Sequence, residues 1–240
     1  NPIALSIDSN DNVFVGRSIP NTASSNDILK ITPGGLVSTF AGSAFGSVDA
    51  NGINAQFKYV VSMDFDSNGN LIASDGNGGR IRKITPQGDV TTISTSAAGV
   101  NYQGPQGLKF NSSKNEIYIA DNGNFRIVKL DYNGAVTSSS VVRSGSSCND
   151  GAPVALAIDS NNNIYFGSGC GSGGKIYSLN ADGTTSFFSS FNGEGQFYLK
   201  FDSSDNLYVA DPGADKIYKI SPQGVISTFA GSTTGDQDSN

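Results

Sequence analysis

The chain repeats itself. The stretch from Leu207 to Gly231, LYVADPGADKIYKISPQGVISTFAG, has four weaker counterparts upstream. A repeat constrains a fold strongly, because each copy takes up the same local structure and buries itself against its neighbours. Each copy can be anchored on the acid or amide that ends its first apolar run: Asp8, Asp66, Asn111, Asp159 and Asp202. The spacings are 58, 45, 48 and 43 residues. These lengths suit a four-stranded propeller blade, typically about 40–50 residues.

Every copy holds four short runs of strand-forming residues. The first runs are Ile3–Ile7, Val61–Phe65, Gln106–Phe110, Val154–Ile158 and Phe197–Phe201. Polar turns such as Asp8-Ser-Asn-Asp-Asn12 follow, and their Asn and Asp tolerate the left-handed backbone of tight hairpins. The second runs are Val13–Val15, Leu71–Ala73, Ile117–Ile119, Ile164–Phe166 and Leu207–Val209, rich in β-branched and aromatic residues. The third runs are Ile28–Ile31, Ile81–Ile84, Ile127–Leu130, Ile176–Leu179 and Ile217–Ile220. The fourth, such as Val37–Phe40 and Ile226–Phe229, are the most polar, as outer edge strands should be. No segment keeps a helical period.

A four-stranded meander cannot bury both faces alone, whereas blades packed face to face around an axis can. The expected fold is therefore all-β, a β-propeller of four-stranded antiparallel blades. One domain covers residues 1–240, with repeats at about 1–51, 52–100, 101–147, 148–192 and 193–240. The meander places second-to-third loops and blade connections on one face. They are the longer set, so that face is expected to bind.

These residues resemble the NHL-repeat family. The resemblance rests on Asn206-Leu-Tyr-Val-Ala-Asp211, Lys216-Ile-Tyr-Lys-Ile220 and Gly224-Val-Ile-Ser-Thr-Phe-Ala-Gly231. The stretch Asp49–Phe57 is similar to the family's blade connection. Family members are commonly six-bladed, and five copies are visible here. Residues 230–240 align with residues 41–51, so the five either close alone or form part of a six-bladed or longer array.

The family's acid–base pair recurs across the second-to-third loop. Asp75 precedes Arg80, Asp121 precedes Arg126, and Asp211 precedes Lys216, each five residues apart. In the first copy the signs are exchanged, Arg17 against Asp27, which is expected only of positions that touch. Two readings stand: loop-closing ion pairs, or a ring of charges (Arg17, Asp75, Asp121, Asp211) that meets a ligand. In the fourth copy Ser168 holds the acid's place. Cys148 and Cys170 lie in loops of the same face that flank one blade, and a disulfide between them is expected. It would stabilise by about 2–4 kcal/mol and would suit an oxidising compartment. Tyr59, Tyr102 and Tyr198 stand near strand starts, as stacking platforms for a sugar or peptide or as plugs of the channel mouth. Asp64 on a first strand is expected to face Lys109 or Lys200, since a buried charge needs a partner. Asn111-Ser-Ser113 is the one N-glycosylation sequon.

Other motifs fail their context. Gly169–Gly174 has G-x-G-x-x-G spacing but lies between strands and opens no helix, so no dinucleotide site follows. The Asp-Ser-Asn turns lack the sixth-place glycine and twelfth-place acid of a calcium loop. The chain has no histidine, so no Ser-His-Asp relay, Cys-His pair or imidazole zinc site is available. The histidine-dependent chemistry of NHL-like amidating lyases and streptogramin-lyase-like propellers has no counterpart. With 15 basic against 21 acidic residues, net −6, the chain is a poor match for nucleic acid. No apolar run approaches the ~20 residues of a membrane span.

The expectation is a non-enzymatic binding or scaffold module, extracellular or on a cell surface, recognising a protein or glycan through its long-loop face. No cofactor and no metal are assigned. Two alternatives stand beside it. One is a calcium-dependent hydrolase resembling lactonase propellers, with Asp64 the one acid at the channel position. The other is an architectural unit of a larger adhesive or filamentous protein.

Overall fold

The computed structural model describes residues 2–17, 26–95, 100–141, 152–168, 173–193 and 197–231. These residues form five four-stranded antiparallel blades, each a meander paired in chain order. The first holds β1 (Pro2–Ile7), β2 (Val13–Arg17), β3 (Asp27–Ile31) and β4 (Val37–Ala41). In the connection that follows, β5 (Ala44–Phe45) pairs in parallel with β6 (Gln56–Phe57). The second blade is β7 (Val60–Phe65), β8 (Leu71–Asp75), β9 (Arg80–Ile84) and β10 (Val90–Thr95). The third is β11 (Pro105–Asn111), β12 (Glu116–Asp121), β13 (Arg126–Asp131) and β14 (Val136–Val141). The fourth is β15 (Pro153–Ile158), β16 (Ile164–Ser168), β17 (Gly174–Leu179) and β18 (Thr185–Phe191). The fifth is β19 (Tyr198–Phe201), β20 (Leu207–Asp211), β21 (Lys216–Ile220) and β22 (Ile226–Ala230). The chain divides into two compact units, residues 1–139 and 140–240.

The polar turns between first and second strands are built by one device. Asp66 Oδ1 accepts the amides of Asn68 and Asn70, each at 2.8 Å, while its Oδ2 accepts Asn70 Nδ2 at 2.7 Å. Asp8, Asp159 and Asp202 repeat the arrangement with Asn12, Asn163 and Asn206. One residue in each turn is left-handed: Asp11, Gly69, Asn162 and Asp205. Asn, Asp and Gly reach that backbone at least cost.

Within each unit, apolar side chains of one blade interlock with those of the next. In residues 1–139, Phe14 and Ile28 pack with Phe57, Val60, Met63, Leu71 and Ile84. On the other face of the second blade, Ile72 and Ile81 join Val100, Tyr102, Leu108, Phe110 and Ile117. In residues 140–240, Ile176 and Phe191 meet Phe197, Leu199, Leu207, Val209 and Ile220. An aromatic trio recurs. Phe14 sets its ring edge-on to Phe40 of its own blade at 4.9 Å and to Phe65 of the next at 5.1 Å. Tyr165 does the same with Phe188 at 4.9 Å and Phe201 at 5.1 Å. Each such pair adds about 0.5–1.5 kcal/mol beyond its buried area.

Polar seams join the inner strands of neighbouring blades. Ser74 donates to the Pro105 carbonyl at 2.6 Å, Leu108 N donates to Ser62 Oγ at 3.1 Å, and Phe110 N donates to Asp64 Oδ2 at 2.9 Å.

Two outcomes follow. Leu71→Ala, at a fully buried site, should destabilise by about 2–5 kcal/mol in chemical denaturation; Leu36→Ala, at an exposed one, should stay within about 0.5 kcal/mol. The second concerns acid. Burial opposes ionisation of Asp8, but hydrogen bonds from Asn12 and Asn10 and the charge of Lys30 outweigh it and lower its pKa. Asp202 is lowered chiefly by its hydrogen bonds from Asn206. A carboxylate with a depressed folded pKa contributes stability above its unfolded pKa, about 3.9, and loses it as pH falls through the folded value. The denaturation midpoint should therefore drop below about pH 4. The double variant Asp8→Asn, Asp202→Asn should be less stable at neutral pH and show a shallower acid drop. An unchanged acid slope would assign that sensitivity to other carboxylates.

Candidate functional site

The long-loop face of the second blade is organised by Arg82, whose side chain is fully buried. Its guanidinium donates to Asp49 Oδ1 at 2.7 Å, to the Val48 carbonyl at 3.0 Å and to the Gln56 carbonyl at 3.1 Å. It also reaches Asp75 Oδ2 at 3.4 Å and lies 5.0 Å from the Phe57 ring centre. Asp75 Oδ1 accepts the amides of Lys58 at 3.1 Å and Tyr59 at 2.8 Å. Asp49 in turn accepts the Thr92 amide and hydroxyl. Acid, guanidinium and connection thus form one braced cluster.

Burial dominates at Asp75 and raises its pKa, against the pull of the Tyr59 and Lys58 amides and of Arg82. At Asp49 burial is outweighed by the Thr92 hydrogen bonds and by Arg82, and the pKa falls.

This corrects the expected partnership of Asp75 with Arg80. Arg80 lies opposite Asp75 in the strand register, yet the ion pair goes to Arg82. Arg82 faces the small Ala73 across the ladder, which leaves room for its guanidinium to fold beneath Asp75. Arg80 occupies the first position of its strand, at the solvent end. Sequence reasoning missed Arg82 and Asp49. The available signal was a second arginine two residues on, sharing a sheet face with the first.

The third blade does show the five-residue pair. Arg126 Nε donates to Asp121 Oδ2 at 2.8 Å, and the same oxygen accepts Asn124 Nδ2 at 2.8 Å. Asp121 Oδ1 accepts the Gln103 amide at 2.7 Å. Arg126 also donates to the Val100 carbonyl and Asn124 to that of Asn101, so this loop too is fastened to the preceding connection. In the first blade the exchanged pair is a two-pronged contact, with Arg17 Nε to Asp27 Oδ1 at 2.9 Å and a terminal nitrogen to Oδ2 at 2.6 Å.

The fifth blade departs from the rule. Asp211 accepts the Gly213 and Ala214 amides at 3.0 and 3.2 Å, but its buried Oδ2 has no partner. Lys216 makes no ion pair with it; it lines a pocket of about 360 Å³ with Phe191, Tyr218 and Thr228. The expected Asp211–Lys216 contact is corrected accordingly. Tyr218 stands where the second blade has Arg82, and its hydroxyl donates to the Asn192 carbonyl at 3.0 Å.

The candidate binding residues sort by exposure. Asp75, Asp121, Asp211 and Tyr102 are buried and reach no surface ligand in this arrangement. Tyr102 exchanges a hydrogen bond with Ser94 at 3.0 Å, and burial pushes its phenol up to about 12. Arg17 and Tyr59 in the first unit, and Tyr198 in the second, remain accessible. Asp64 pairs with Lys109 at 3.5 Å. Among the described residues no three metal-ligating side chains stand together. Asn111 is buried, its Oδ1 accepting the Lys114 amide, so the sequon is closed to a glycan in the folded chain. Cys148 and Cys170 both lie outside the described residues.

The braces yield a sharp contrast. Arg82→Met leaves Asp75 buried without its cation and should cost about 3–5 kcal/mol. Arg80→Ala should stay within about 0.5 kcal/mol. Urea denaturation of the two variants decides it, and the reverse order would place the ion pair at Arg80.

The NHL repeat family matches residues 102–130, which cover β11, β12 and most of β13. No curated protein sequence matches the chain significantly. Among solved structures, the chain is similar to virginiamycin B lyase from Staphylococcus aureus in its catalytically inactive H270A form with Quinupristin. Identity is 16%, coverage 97% of this chain and 71% of that one, and the TM-score 0.70. It is also similar to a chain of the nidogen/laminin complex, at 15% identity, 95% and 79% coverage and a TM-score of 0.69. A putative gluconolactonase follows at 14% identity, 94% and 76% coverage and a TM-score of 0.68. At such identities the likeness is one of fold, and that fold is the β-propeller. The family match falls on the third repeat, and the phased four-stranded blades around it make the chain similar to NHL-repeat proteins.

Proposed function

We propose that this chain is a non-enzymatic binding module, extracellular or at a cell surface, that recognises a protein through its long-loop face. The observation that carries the reading is how that face spends its charges. Asp75, Asp121 and their arginines brace loops from within, so of the candidate binding residues Arg17, Tyr59 and Tyr198 are the accessible ones. Arginine and tyrosine on a rigid support are what protein interfaces favour. Bracing also limits the ordering cost of association. The structural likeness to a nidogen/laminin complex supports a protein rather than a small molecule as ligand. The enzymatic neighbours lend less. The similar lyase is inactive with one histidine replaced by alanine, and this chain has no histidine. For a lactonase-like calcium site the residues do not fit: Asp64 is committed to Lys109 and to the Phe110 amide.

Capture from extracellular protein mixtures, followed by affinity measurement, tests the proposal. Tyr198→Ala and Arg17→Ala should each weaken the captured protein's binding by about tenfold, near the 1.4 kcal/mol of a moderate interface contact. Asn161→Ala, in an exposed hairpin turn of the opposite end, should leave it unchanged. Equal loss from the hairpin side, or steady turnover of a lactone, would sink the reading.

A further inference from the structure

The second blade shows what the groove beside a third and fourth strand can hold. Its incoming connection runs from Gly42 to Tyr59, and the middle of that segment lies along the edge of β10. Asp49 sets its carboxylate on Thr92, whose amide and hydroxyl donate to it at 2.9 and 2.8 Å. The Ala50 carbonyl accepts the Val90 amide at 2.9 Å. Arg82, facing Thr92 across the ladder, supplies the cation at 2.7 Å. A segment laid along a strand edge in this way is a common mode of peptide recognition.

The fifth blade keeps the strand edge but has a far shorter connection, from Asn192 to Phe197. Tyr218 faces Thr228 as Arg82 faces Thr92, Ile226 takes the place of Val90, and the bulge that follows Thr92 recurs after Thr228. Where the second blade seats Asp49, the fifth has the pocket of about 360 Å³, lined by Lys216, Tyr218, Ile226, Thr228, Ser190 and Asn192. It lies between the fourth blade's outer strand and the face of the fifth that packs on it. Lys216 stands two residues before Tyr218 on the same sheet face and brings the cation that the tyrosine does not. The side chains of Lys216 and Thr228 have no hydrogen bond or ion pair among the described residues. Asp211, across the ladder from Lys216, does not line the pocket. It is buried, and Gly193 packs so close to its Oδ2 that a side chain there would overlap it.

We propose that this groove binds an extended acidic segment of a protein partner, with the segment's backbone along the edge of β22 and an aspartate or glutamate side chain on Thr228 and Lys216. The chain itself names the ligand chemistry, because the equivalent threonine of the second blade already holds a carboxylate beside an extended backbone. A carboxylate also gives the lysine a charge-assisted hydrogen bond, roughly twice as strong as a neutral one. The groove uses none of Arg17, Tyr59 and Tyr198, so it holds or fails apart from them.

The probe is a synthetic peptide of residues 46–57, GSVDANGINAQF, titrated into the 240-residue chain and followed by nuclear magnetic resonance. It should bind, and the same peptide carrying Asp49→Asn should bind about tenfold more weakly. In the protein, Lys216→Met should weaken the parent peptide about tenfold and Thr228→Val about fivefold. Thr228→Ser, which keeps the hydroxyl, should bind as the wild type does. Lys219→Met removes the same charge from the opposite face of β21, where its ammonium lies 5.5 Å from the Tyr208 ring centre, and should leave binding unchanged. Thermal melting establishes that the variants are folded, and Lys216→Gln replaces Lys216→Met if it is not. No binding of the parent peptide, equal binding of its Asp49→Asn form, or an equal loss with Lys219→Met overturns the proposal. So does succinate that binds as tightly as the peptide, since the groove would then take a small acid rather than a strand.

Discussion

A four-stranded sheet with apolar side chains on both faces is not stable alone in water, and every blade here is such a sheet. The structure depends on covering those faces. Within each unit one blade supplies the cover for the next, in matched rows such as Phe65, Leu71, Ile84 and Val90 laid against Phe14 and Ile28. Each large side chain so buried contributes about 1.5–3 kcal/mol. The recurrence of the aromatic trio in both units follows from that demand. A ring from the next blade enters at the spot where two rings of its own already meet edge to face.

The second constraint is electrostatic. A loop that joins the second and third strands leaves its terminal acid under the incoming connection, away from water. Asp75 and Asp121 are held there by backbone amides on one oxygen and a guanidinium on the other. A buried carboxylate is tolerated only with such partners. The same groups that look in the sequence like a ring of charges for a ligand are thus spent on holding the platform together. Of the candidate binding residues, Arg17, Tyr59 and Tyr198 are left accessible, and this shapes the proposed mode of binding.

Much of the fold was legible beforehand for a simple reason. Strands alternate with period two, the turns carry Asp and Asn where a left-handed residue is needed, and five copies repeat the message. The anchors Asp8, Asp66, Asp159 and Asp202 cap their hairpins through bonds that span four residues. The site was less legible. Arg82 was hidden because its partners, Asp49, Val48 and Gln56, lie about 26 to 34 residues away in sequence, and no local pattern encodes such a convergence. Asn111 reads as a sequon, yet it occupies an interior hairpin position.

By itself the sequence determined the blade: its four strands, its turns and its repeating apolar rows. These depend on contacts between residues close in the chain or on a period that can be counted. Only the tertiary structure decided which arginine meets which acid and which tyrosines remain in reach of a partner. Those outcomes depend on how much room a neighbouring side chain leaves and on what packs over a face, and both are properties of folded surfaces brought together across long stretches of chain.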